Sequence, residues 1–167
     1  MSSTRDGSAR AVADTADGLL LASVEVAAPP ERVFRALASR EVVGWWIRPG
    51  AFDTREWTGD LRVGGPWRAS GVARGNPYGL EGEFLEVDPP RRLVHTWHVV
   101  GTPGPTTTVT YLVEPLGGGT RVTLRHEGFA SSEVCINTCT GWETSFARLA
   151  EILASEFVAS EAPPGRG

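Results

Sequence analysis

Two of the three histidines and both cysteines are the residues of this sequence whose types could carry chemistry. In RVTLRHEG, Val122, Leu124 and His126 alternate with Arg121, Thr123, Arg125 and Glu127. Alternate residues of a strand share a face, so His126 belongs to the apolar face and is predicted to point inward. Leu93, His95, Trp97 and Val99 make the same argument for His95. Two inward imidazoles can orient a ligand or move a proton near neutral pH. The alternative is a pair of core histidines hydrogen-bonded to their neighbours. Cys135 and Cys139 stand at i and i+4, a spacing that suits neither a disulfide framework nor a complete zinc site, so both read as buried free thiols. His95, His126, Cys135 and Cys139 are residue types that zinc accepts, but they come from two strands and a helix and lack paired-knuckle spacing. No metal or other cofactor is expected. There is no G-x-S-x-G elbow and no glycine-rich phosphate loop opening a helix. All 16 basic residues are arginine, which excludes a Schiff-base or P-loop lysine. No residue is assigned a catalytic role, and binding is favoured over enzymatic activity.

The element that must position these groups is the last one. Cys135, Cys139, Trp142, Phe146, Leu149, Leu153 and Phe157 recur at steps of three and four, which places them on one face of a long helix. Thr140, Glu143, Thr144, Arg148, Glu151 and Ser155 take the opposite face. A wide aromatic face needs a broad apolar partner, and the rest of the chain reads mainly as strands. Strands are placed at 19–27 and near 51–57, 67–74, 80–88, 92–100, 106–115 and 120–128. The breaks between the later strands are VGGP (63–66), NPYG (76–79), DPPR (88–91), GTPGP (101–105) and LGGG (116–119). Pro29 and Pro30 open a short helix, PERVFRALAS, with Val33, Phe34 and Leu37 as its buried stripe. A second short helix covers Glu41 to Trp46.

At 167 residues with 41% hydrophobic and 22% charged residues, one domain with its own core is expected over residues 18–160. Residues 1–17 are small and polar and read as a disordered tail, and 161–167 as a frayed end. The net charge of −4 gives no case for nucleic acid or an anionic membrane. No stretch is apolar and long enough to span a bilayer, and the first residues have no signal-peptide core, so a cytoplasmic protein is expected. It would be a monomer or homodimer.

Six motifs in order carry a family pattern: VEVAAPPERVFRALAS (24–39), VVGWWIRPG (42–50), LRVGGPW (61–67), GEFLEVDPPRRLVHTW (82–97), GGGTRVTLRHEGF (117–129) and GWETSFARLAEIL (141–153). Together they resemble the homologues of the activator of the ninety-kilodalton heat-shock-protein ATPase, within the START and birch-pollen-allergen-like (SRPBCC) superfamily. The resemblance implies an α+β helix-grip. In that fold an antiparallel sheet of six or seven strands curls around the C-terminal helix, with two short helices between strands 1 and 2. It also implies an apolar or amphipathic ligand held between sheet and helix. A long helix in a curved sheet touches it well at its ends and less well mid-span, so a cavity is expected there. Its walls are expected from Phe84, His95, Trp97, Tyr111, His126, Cys139, Trp142 and Phe146, with Trp45, Trp46, Trp67 and Tyr78 lining its mouth or capping the core at the open end of the sheet. The function expected first is therefore binding of a small hydrophobic or aromatic molecule. Relatives in the superfamily suggest two alternatives: a polyketide cyclase or dehydratase using His95 or His126, and resistance to an enediyne-type antibiotic by sequestration or self-sacrifice. The latter would draw on glycines such as Gly101, Gly104 and Gly117 to Gly119. A co-chaperone role, acting on a chaperone ATPase, follows from the family name. It is not favoured, because the eukaryotic activators use a separate N-terminal domain for much of that work.

Overall fold

Leu20, Ala22, Val24 and Val26 are buried while Leu21 and Glu25 between them are exposed, so LLLASVEV forms a strand with one inward face. The computed structural model describes residues 9–161. Its elements are β1 (Arg10–Asp14), β2 (Leu19–Val26), α1 (Pro30–Leu37), α2 (Val42–Trp45), β3 (Ile47–Arg48), β4 (Phe52–Gly59), β5 (Pro66–Ala73), β6 (Asn76–Asp88), β7 (Arg92–Val99), β8 (Thr107–Leu116), β9 (Gly119–Glu127) and α3 (Ser132–Glu161). The strands form one antiparallel sheet in the order β1-β2-β9-β8-β7-β6-β5-β4-β3. The meander from β3 to β9 thus ends against β2, and bulges at Thr54/Glu56 and Phe84/Glu86 add to the curl.

This is the expected helix-grip with nine strands in place of six or seven; the additions are β1 and the two-residue β3. Residues 10–14 correct the expectation of a disordered tail over 1–17. They pair with β2 in the register Ala11↔Ala22 and Ala13↔Leu20, where small half-buried side chains fit beneath α3. Residues 1–8 of that tail, and the C-terminal segment beyond Glu161, lie outside the described residues. So does the Phe157 side chain.

NPYG also differs from expectation. Asn76–Gly79 lie in β6, and the turn is the dipeptide before them, Arg74 at φ 51° and Gly75 at φ 82°. Two left-handed residues make the hairpin turn that matches strand twist. Pro77 faces Val72, one pair beyond the closing Ala73↔Asn76 pair, where an antiparallel ladder needs no N–H from it.

α3 lies close to β1 and β2 along one rim of the sheet and to β3 and α2 along the other. Its predicted face is buried from Cys135 through Cys139, Trp142, Phe146 and Leu149 to Leu153, and Glu143 and Glu151 are exposed. Between the rims, large side chains from both elements bridge the gap. No helix among the described residues is long and apolar enough to cross a membrane.

Gly82 shows how tightly the sheet side of this layer is built. Trp67 Nε1 crosses it to donate to the Thr96 carbonyl oxygen at 3.1 Å. A Cβ at Gly82 would overlap both Thr96 O and Trp67 Nε1. Gly82→Ala is therefore expected to cost at least about 2 kcal/mol in urea unfolding. Gly79→Ala, whose added carbon would meet Val100 at an ordinary 3.5 Å, is expected to change stability by less than about 1 kcal/mol.

Candidate ligand site

The inward faces of β5 to β9 bring most of the predicted residues together. Trp45, Trp46, Trp67, Phe84, His95, Trp97, Tyr111, His126, Trp142 and Phe146 form one connected set of rings. Neighbouring centroids stand from 5.0 Å (Trp67–His95) to 6.3 Å (His95–Trp97) apart. Most contacts are tilted or edge-to-face, the arrangement aromatic quadrupoles prefer. Trp97 is half-buried; the other nine are buried. Of the four residues expected at the mouth or as caps of the core, Trp45, Trp46 and Trp67 are inside the layer. Trp45 is pinned by a bond from its Nε1 to the Ala36 carbonyl of α1 at 3.0 Å. Cys139 is buried in the same core, where desolvation and the neighbouring Cys135 and Glu143 push its thiol pKa up. Tyr78 stands apart from the rings, its hydroxyl bonded to Thr54 on β4.

His126 is held by a directed chain. The Trp142 indole N–H donates to His126 Nδ1 at 3.1 Å, which fixes the imidazole proton on Nε2. Nε2 in turn lies 2.7 Å from Thr107 Oγ1, and that hydroxyl donates to the Trp97 carbonyl at 3.2 Å. Every polar atom of the chain is used. Burial, with His95 nearby, pushes His126 down to about 3. His95 Nδ1 donates to the Thr96 carbonyl at 2.9 Å, and burial pushes His95 down to about 4 against that bond. Both imidazoles are neutral at neutral pH. Two groups in the layer are unmatched: Trp46 Nε1 and Tyr111 Oη are buried and have no hydrogen-bond partner.

Thr107 and Phe129 belong to this constellation and were not singled out from the sequence. Phe129 packs on His126 with centroids 4.6 Å apart. Thr107 is one of three consecutive threonines, and only the strand's phase separates it from Thr106 and Thr108. Among the described residues no group of three or more His, Cys, Asp or Glu converges on a metal-sized space. An open groove of about 310 Å³ lies elsewhere, lined by Glu56, Trp57, Thr58, Arg68, Ala69, Ser70, Gly79 and Leu80 of β4–β6 and by Val100 just after β7, and contains none of the predicted site residues.

Comparison with known proteins places this geometry in context. The family model described as Activator of Hsp90 ATPase homolog 1-like protein matches residues 27–154. Among solved structures, a protein of Chromobacterium violaceum is similar at 26% identity and TM-score 0.71, with 81% of this chain and 96% of that one covered. A Mycobacterium smegmatis protein is similar at 22% identity and TM-score 0.74, covering 86% and 94%. CalU16 of Micromonospora echinospora is similar at 24% identity and TM-score 0.62, covering 90% and 88%. The last two are likenesses of fold. Among curated proteins nothing matches the chain.

Proposed function

Because the chain belongs to the Activator of Hsp90 ATPase homolog 1-like family, we propose that it binds a small hydrophobic or aromatic molecule between the sheet and α3. The observation that carries this reading is the mid-span layer. The backbone of α3 approaches the sheet closely along its two rims, and the space between is bridged by aromatic rings from β5 to β9, α2 and α3. Rings meeting at tilted angles can re-pack around a flat guest, and an apolar wall with a few inward polar atoms is the usual make-up of a small-molecule site.

Binding is favoured over acid–base catalysis. His126 has both ring nitrogens engaged within the protein, and burial holds both histidines well below the range where a proton is exchanged at neutral pH. Gly101, Gly104, Gly117 and Gly118, which a self-sacrifice role would draw on, are exposed in the β7–β8 and β8–β9 turns, where this reading places no ligand.

Titration with the uncharged fluorophore N-phenyl-1-naphthylamine tests the reading. The folded protein is expected to bind it saturably with a micromolar dissociation constant and to lose tryptophan emission as it does, since five of the six tryptophans belong to the layer. A folded protein that leaves the fluorophore in water would move the function to the outer surface.

A further inference from the structure

Trp46 and Tyr111 are the two polar misfits of the aromatic layer among the described residues. Trp46 is 4% exposed and Tyr111 0%, and neither Trp46 Nε1 nor Tyr111 Oη has a hydrogen-bond partner. Three other buried indoles of the layer are satisfied: Trp45 by the Ala36 carbonyl, Trp67 by the Thr96 carbonyl and Trp142 by His126. The deficit at Trp46 is therefore local. An indole nitrogen only donates. Burial keeps the Tyr111 hydroxyl protonated, and Trp46 lies close enough to its oxygen to oppose that rise in part. Even with the indole N–H turned toward that oxygen, the hydroxyl proton has no acceptor. Whichever way the pair turns, at least one donor is left with nothing to receive it, an arrangement that folded proteins seldom leave without a reason.

The rings around the pair define what would relieve it. Trp46 touches Trp45, Trp67, Trp97 and Trp142, and Tyr111 touches His95 and Trp142. His95 spends its Nδ1 proton on the Thr96 carbonyl and brings no positive charge, so an anion would find no counter-charge among these neighbours. The walls suit a flat apolar body. Trp46 is also the ring best placed to move aside for it, because it sits between the four-residue α2 and the two-residue β3. We infer that Trp46 Nε1–H and Tyr111 Oη–H are a paired donor site for one uncharged oxygen of a planar aromatic ligand, a carbonyl oxygen by geometry. This inference rests on the binding function proposed above.

Calorimetric titration with 2-acetonaphthone and 2-ethylnaphthalene, which share a ring system and differ in the oxygen, tests it. The ketone-to-hydrocarbon affinity ratio is expected to fall about tenfold in Tyr111→Phe and in Trp46→Phe, the value of roughly one hydrogen bond. Free Tyr111→Phe is expected to melt no lower than the parent protein, because the hydroxyl it loses has no partner. Binding of both probes with the same ratio in parent and variants would overturn the donor site and leave the proposed function standing. Failure of both probes to bind would overturn the function and the inference together. A melting temperature several degrees lower for Tyr111→Phe would show a structural hydrogen bond and refute the assignment.

Discussion

Trp142→Ala is expected to lower the unfolding free energy by about 4 kcal/mol, the cost of emptying a large aromatic site in a close-packed interior. Trp142 is 4% exposed and packs against Trp45, Trp46, Trp97, Tyr111, His126 and Phe146. Its indole also supplies the proton that His126 Nδ1 accepts, so truncation leaves a buried acceptor bare as well as a void. Glu143, one residue on, is exposed, and Glu143→Ala is expected to shift stability by no more than about 0.5 kcal/mol. Urea unfolding of the two variants measures the difference. Equal losses would mean that α3 presents another face to the sheet.

Mild acid is expected to destabilise the protein. His95 and His126 fall from an ordinary 6.5 to about 4 and about 3 in the folded chain, chiefly through burial. A folded-state value below the unfolded one means that the unfolded chain takes up the proton first as pH falls. The stability these residues contribute is complete above about 6.5 and is lost on the way down toward the folded values. Between pH 7 and 4.5 the loss is about 2 kcal/mol per histidine, with close to two protons taken up on unfolding. His95→Phe keeps a ring against Trp67 and Tyr111 and leaves Thr96 O its bond from Trp67, so it is expected to remove about half of the slope. A stability that is flat across this range, or one that rises toward acid, would show the histidines charged or solvated.

Much of the architecture was legible because it depends on periodicity and on residues with special backbone freedom. The stripe from Cys135 to Leu153 set the phase of α3, and every described member of it is buried. Val122, Leu124 and His126 share the buried face of β9 as their alternation required. β1 was missed because RAVAD turns only Ala11 and Ala13 inward, and two methyl groups carry almost no hydrophobic signal. NPYG was read as a turn because proline and asparagine favour turns, but the left-handed pair Arg74–Gly75 had already turned the chain. The interior rings were largely foreseen as a group, and their hydrogen bonds were not. Thr107 and Trp142, both reaching His126, join elements apart in sequence through side-chain directions that no local pattern encodes.

The most direct test of the central claim uses the six indole N–H resonances of a ¹⁵N-labelled sample, recorded with and without saturating 2-acetonaphthone. A ligand between the sheet and α3 must shift Trp46, Trp97 and Trp142. It should leave Trp57, which lines the separate groove on β4–β6, where it was. Shifts confined to Trp57, or six unmoved signals at saturating probe, would contradict the account.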